Sequence, residues 1–259
     1  MALEQAEKDF VGQLSEPFRR LFLERQKEQY ELFNLICSSL NAVAELPEIF
    51  SRFNREEKVI QESKIWAELA KKEIDRNYSS IASQSIIVLW SALEAAVRDF
   101  TVNWLLAFPH LLEKSSISSI KIRLGDFLGL TDDDRARFIT AELERSVAAK
   151  LKPGVGRFEA VLEQIDLGGS VSDEIRRDIL ELSAIRNALV HNAGHADAKL
   201  LTLCPWLNIC AGDVLAVSPA DYRKYMPSVL RYSASIIERA ELLVESNNSF
   251  KPKPLRGSA

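Results

Sequence analysis

Apolar residues recur at steps of three and four along most of this chain. The clearest run is Ile86, Leu89, Trp90, Leu93, Val97, Phe100 and Trp104. That spacing lays a continuous apolar stripe along one helix, which ends near Pro109. Apolar groups on two of its faces predict a central place in a bundle. Upstream, Phe18, Leu21, Phe22, Arg25, Tyr30, Phe33, Leu35, Ile36 and Leu40 follow a roughly helical recurrence and predict a helix over 17–46, with Pro17 in its first turn and Pro47 interrupting it. A charged helix over 55–76 follows, carrying Val59, Ile60, Trp66 and Leu69.

Beyond the central helix, residues 115–130 read as a short helix and a turn at Gly125 and Gly129. Thr131 is placed to cap a helix that opens on Asp132, Asp133 and Asp134, acids suited to the positive end of the helix dipole. That helix runs to about Lys150 and is broken at Pro153–Gly156; a short one covers Arg157 to Asp166, closed by Gly168 and Gly169. Ser172 caps the next, whose buried stripe is Ile175, Ile179, Leu182, Ile185 and Leu189, and Asn192 to Gly194 end it. Leu203 to Ser218, apolar and β-branched around Gly212, reads as a short β-hairpin or extended loop. A last helix spans about 219–245, and the tail from Asn247 reads as disordered. The fold class is all-α, without internal repeats.

The net charge of −4 rules out a chain that coats nucleic acid along its whole surface, so any RNA binding is expected from a local basic patch. Three cysteines, Cys37, Cys204 and Cys210, make no disulfide framework and point to a reducing compartment. The charged N-terminus lacks a signal-peptide core, and no stretch reads as the ~18 apolar residues of a membrane span. A cytoplasmic protein without a membrane partner is expected.

The chemistry concentrates in Ile185–Asn192, which holds one of only three histidines five residues after an arginine. A fixed cation beside a group that exchanges a proton near neutral pH is the minimal equipment for cleaving RNA without a metal. On a helix, Arg186 and His191 lie ~7.5 Å apart along the axis and ~140° apart around it, so they converge only if the helix is ending. Asn187 and His191 share a face. Spacing alone favours a plainer reading, in which Arg186 makes a surface ion pair and His191 is a polar C-terminal cap. Glu94, at the margin of the central stripe, is a secondary candidate for holding Arg186, although pattern alone favours a solvated glutamate there. Arg176 and Arg177, on the same helix as His191, are candidates for following an RNA backbone.

The segment ELSAIRNALVHN resembles the Arg-(four residues)-His signature of the HEPN superfamily of all-α domains, with asparagine directly after the arginine. SIIVLWSALEAAVRDF (85–100) is similar to the family's early core helix. GVGRFEAVLEQI and CPWLNICAGDVLAVSPADYRKY resemble the connecting and trailing parts of its ribonuclease-like branch, found in bacterial toxin and defence systems. The resemblance covers roughly residues 75 to 245. It divides the chain into an N-terminal helical extension (1–75), a HEPN-like helical domain (76–246) and a tail (247–259), with the hairpin or extended insert before the last helix.

The resemblance implies a metal-independent endoribonuclease, a toxin or phage-defence effector whose cleft is shared across a homodimer and whose substrate is RNA. An antitoxin or other regulatory partner fits that setting. His191 would exchange the proton of a ribose 2′-hydroxyl, Arg186 would stabilise charge on the phosphate, Asn187 would position either, and products would carry 2′,3′-cyclic phosphate. The alternative is a non-catalytic HEPN module that binds a nucleotide, RNA or a protein.

No cofactor and no metal are expected. A zinc site from His191, His195, Cys204 and Cys210 lacks tight ligand pairs. Asp132–Asp134 reads as a helix start before a magnesium site. Gly154-Val155-Gly156 lacks the lysine of a phosphate loop. Trp90 and Trp104 are expected in the core.

Overall fold

The computed structural model describes residues 9–122, 124–148 and 153–250. Among these the chain is helical with no strand, and its β pairing is an isolated bridge between His195 and Val214. A helical turn, Glu16–Arg19, and a π-helical stretch, Arg20–Gln26, lead into α1 (Lys27–Arg52). There follow α2 (Glu57–Asp75), α3 (Ser79–Ala107), α4 (Asp132–Ala148), α5 (Val155–Leu162), α6 (Asp173–His191), α7 (Ala198–Leu203) and α8 (Pro219–Ser246).

The chain forms two compact units, each gathered from separated stretches. One takes the N-terminal residues through Phe22, then Ser91–Ser183, then the chain from Pro227. The other takes Leu23–Trp90 and Ala184–Met226.

The first unit centres on the second half of α3, where Leu93, Phe100 and Trp104 are fully buried. The Trp104 indole N–H donates to the Ile165 carbonyl at 3.2 Å, giving this large apolar ring the partner its single donor needs. Phe108 and Phe250 pack on Trp104, so part of the tail expected to be disordered is a 3₁₀ turn, Asn248–Phe250, with Phe250 buried. An aromatic ring with an apolar pocket to fill outweighs the polar composition around it. The rest of that tail, 251–259, lies outside the described residues, as does the end of the helix expected to reach Lys150.

In the same unit Glu159 of α5 anchors a polar network. It takes Arg239 Nη1 at 2.9 and 3.0 Å, the Tyr232 hydroxyl at 2.9 Å and the Gly169 N–H at 2.9 Å. Arg239 also donates to the carbonyls of Leu167 and Ser170, which pins the turn just ahead of α6.

In the second unit α1 and α2 pack as a hairpin through the small buried residues Ser63, Ala67 and Ala70 of α2. Phe33 of α1 stacks on Tyr222, whose hydroxyl donates to Gln26 at 3.0 Å; burial pushes that phenol up to about 12.

Several expectations need correction. Pro47 does not interrupt the first long helix, because α1 continues to Arg52. Packing along the hairpin holds the segment helical despite the ~3 kcal/mol a proline costs inside a helix. Gly125 lies inside a short helix, Leu124–Leu128, and the turn comes at Gly129. Of the two alternatives for Leu203–Ser218, the hairpin does not form and the loop does: the segment leaves α7, passes a 3₁₀ turn at Pro205–Leu207 and runs as a loop that turns at Gly212. Its single bridge reaches back to His195, before α7, so the β-branched residues find no neighbouring strand. Trp66 and Leu69, counted on the apolar pattern of α2, are exposed.

One helix, α3, is long and apolar enough by length and composition to cross a membrane, contrary to the expectation that none would be. Half of its most apolar window is buried inside the fold. Its charged residues are paired there too, Glu94 with Arg157, Arg98 with Glu144 and Asp99 with Arg137. These are the features of a core helix.

Candidate functional site

The signature helix α6 starts as its sequence dictates. Ser172 Oγ accepts the Ile175 N–H at 3.4 Å, and Asp173 and Glu174 occupy the first turn. Ile179, Leu182, Ile185 and Ala188 form its buried face, while Ile175 and Leu189 at the margins are half-buried. Arg176 and Arg177 are exposed on the first turns. Pattern reading missed that Asp178 and Glu181 on this helix are buried as well; Asp178 is held by the Ser228 hydroxyl at 2.6 Å.

Helical geometry persists through His191, and the chain then leaves by two left-handed residues, Ala193 at φ +50° and Gly194 at φ +78°. Alanine is strained at such an angle, so Ala193→Gly is expected to stabilise the protein by about 0.5–1 kcal/mol, read as a rise in urea midpoint.

Because α6 is unbroken to His191, Arg186 and His191 point in different directions around it, while Asn187 and His191 share a face. Both line a cleft of about 240 Å³ together with Asn192, Asp197 and Lys199, floored by alanines and leucines of α6 and α7. His191 is exposed and Asn187 half-buried. Arg186 is half-buried and does not line this cleft; its Nη1 donates to Asn187 Oδ1 at 3.1 Å. The side chains brought together are therefore Asn187 and His191, with Arg186 joined through the asparagine. Glu94 belongs to the first unit, where it forms a 2.5 Å ion pair with Arg157 at the edge of a separate cleft of about 450 Å³.

The far wall of the Asn187–His191 cleft was not foreseen. Asp197 caps α7, with Oδ1 accepting the Leu200 N–H at 2.7 Å and Oδ2 accepting Asn192 Nδ2 at 2.6 Å. Three backbone bonds of 2.8 Å close the base of this excursion: Ala196 N–H to Asp213, Gly212 N–H to Ala196, and Leu215 N–H to Gly194. Gly212, at φ +90°, makes the return turn possible. The only signal in the sequence was an aspartate three residues ahead of Leu200, a cap with too short a helix behind it for periodicity to register.

The Leu200 N–H, then Asn192 and Lys199, hold the Asp197 carboxyl below the usual carboxylate range. A lowered folded value contributes stability above the ordinary carboxylate range that is lost as pH falls through the folded one. Asp197→Ala is expected to cost about 1 kcal/mol at neutral pH. The loss should shrink toward zero in acid, which urea melts of both proteins across pH would show.

No family model, curated protein or solved structure matches the chain. The function must therefore be argued from the site.

Among the described residues no three His, Cys, Asp or Glu side chains cluster as metal ligands would. The three cysteines form no disulfide; Cys204 is buried and Cys210 exposed. What the cleft offers is an imidazole, two amides, a lysine ammonium, the Asp197 carboxylate already engaged by the Leu200 N–H and Asn192, and an apolar floor. That set can accept a phosphodiester and move a proton.

Proposed function

We propose that the protein is a metal-independent endoribonuclease of HEPN type, an RNA-cleaving effector of toxin or phage-defence character working in the cytoplasm. The observation that carries this reading is the opening of Asn187 and His191 into one cleft from one face of the signature helix. In the proposed reaction His191 takes the proton of a ribose 2′-hydroxyl as that oxygen attacks the neighbouring phosphorus, and a proton is returned to the departing 5′-oxygen. Lys199 stands in the same cleft to meet the phosphate. Arg186, outside the cleft lining, is tied to it through its 3.1 Å hydrogen bond to Asn187, and its charge acts on the pentacoordinate phosphate from the edge of the site. The exposed Arg176 and Arg177 serve RNA binding by charge.

Incubation of purified protein with total RNA and with tRNA in EDTA tests the reading. Fragments ending in 2′,3′-cyclic phosphate support it. Cleavage that stops in EDTA and returns with a divalent metal would sink the metal-independent mechanism.

One observation favours a second reading, a binding module without catalysis: Arg186 does not line the cleft that holds His191. RNA binding without strand scission, in the presence of any added regulator, is its expected signature.

A further inference from the structure

The cleft of about 450 Å³ beside Glu94 and Arg157 lies within the first compact unit, and the proposed cleavage chemistry makes no use of it. Its floor is apolar, supplied by the buried Val97 of α3 and by Phe158 and Val161 of α5. Its walls are charged. Arg98 of α3 grips Glu144 of α4 through two parallel hydrogen bonds of 2.9 and 3.0 Å, and Arg157 of α5 reaches Glu94 of α3 at 2.5 Å. Arg145 of α4 lines the cleft as well, while the glutamate it pairs with, Glu142, does not. The lining thus carries three cations against two anions, in a chain whose net charge is −4.

The two signs sit at different depths. Glu94 and Glu144 keep 18% and 27% of their side chains exposed, whereas Arg157, Arg98 and Arg145 keep 41%, 45% and 72%. A molecule arriving from solvent therefore meets guanidinium groups first. Each guanidinium has five N–H donors. Among the described residues Arg98 gives two to Glu144 and Arg157 gives one to Glu94, so both have donors left for a second acceptor. Stability is a weak reason for this arrangement, because ion pairs at such exposure contribute only ~0–1 kcal/mol each.

We propose that this cleft binds a small organic phosphate whose body is a flat ring, about the size of a nucleoside monophosphate. The phosphate rests on Arg98, Arg145 and Arg157, and the ring lies on Val97, Phe158 and Val161. Guanidinium forks match phosphate oxygens, and the two glutamates fix two of those forks before the ligand arrives. The glutamates also set the polarity of binding. Standing deeper, they repel an anion that enters far, which keeps the phosphate at the mouth and leaves the floor to the uncharged ring. The volume falls within the ~300–1,000 Å³ usual for small-molecule sites. The inference is independent of the ribonuclease reading, since its residues belong to the other compact unit.

Isothermal titration of the full chain with AMP, adenosine and glucose 6-phosphate at low salt tests it. AMP is expected to bind, and to bind less tightly as salt rises. Adenosine lacks the phosphate and glucose 6-phosphate lacks the flat ring, so each should bind about tenfold more weakly or worse. Arg157→Gln and Arg145→Gln should each raise the dissociation constant for AMP about tenfold, the loss of one charge-assisted contact. Lys199→Ala, in the Asn187–His191 cleft, should leave it unchanged. Melting curves followed by helical circular dichroism confirm that each variant folds, and the exposed Arg145 keeps the test open if Arg157→Gln does not. No binding of AMP at millimolar concentration, adenosine or glucose 6-phosphate bound as tightly as AMP, an affinity unmoved by either arginine variant that folds, or binding lost in Lys199→Ala would each overturn the proposal.

Discussion

On the proposed reading, His191→Ala should lower RNA cleavage in EDTA by about 10²–10⁴-fold, the usual contribution of a positioned general acid or base. The fold should survive this substitution. His191 is the last residue of α6 and is exposed, so removing the imidazole opens no cavity. What stability it adds through the helix dipole is ~0.3–1 kcal/mol. The comparison is therefore clean: activity collapses while the melting temperature moves little. Arg186→Ala should reduce the turnover number more than it raises the Michaelis constant, if its charge acts on the transition state. Equal cleavage by the unaltered protein and His191→Ala would remove this cleft from consideration as the site of chemistry.

The largest effect on stability is expected in the other compact unit. Glu159→Ala should cost about 3–5 kcal/mol, because it strands a mostly buried guanidinium and a buried phenol at once. Glu159 and Arg239 keep only 15% and 16% of their side chains exposed, and the two bonds between them are 2.9 and 3.0 Å long. Tyr232 loses its acceptor in the same substitution. Its hydroxyl is already held well above its ordinary value by burial, with the Glu159 charge adding to the effect. Glu159→Gln keeps an acceptor for the phenol and should cost less. Urea unfolding of the three proteins decides the matter, and a loss below about 1 kcal/mol for the alanine variant would show that water replaces the carboxylate there.

Features fixed by short-range physics were legible in the sequence. The stripe Ile86, Leu89, Trp90, Leu93, Val97, Phe100 and Trp104 is buried throughout, because a 3.6-residue period in a long helix leaves one consistent face. Ser172 and Thr131 cap the helices that follow them, since a cap depends on residues within one turn; Thr131 Oγ1 accepts the Asp134 N–H at 3.2 Å.

Long-range pairing was not legible. Nothing near Glu159 announces a bond to Arg239, eighty residues on, nor does the sequence around Tyr222 announce Gln26. Pro47 misled because helix propensity is local while the hairpin contacts that override it are tertiary. In the site, the shared face of Asn187 and His191 followed from helix geometry. The wall supplied by Asp197 and Lys199 did not, because α7 has six residues and a single buried one, Leu200.

Both compact units are assembled from stretches that are far apart in the chain, and this has a consequence for synthesis. The unit holding the Asn187–His191 cleft needs residues up to Met226, and the other needs Phe250 to cover Trp104. Neither can close while the ribosome is still making the first two hundred residues. A nascent chain therefore carries part of the apolar surface of α3 uncovered until the later segments emerge, and it gains a finished cleft only near the end. For a protein proposed to cleave RNA, that order of events would hold back the finished cleft until the chain is nearly complete.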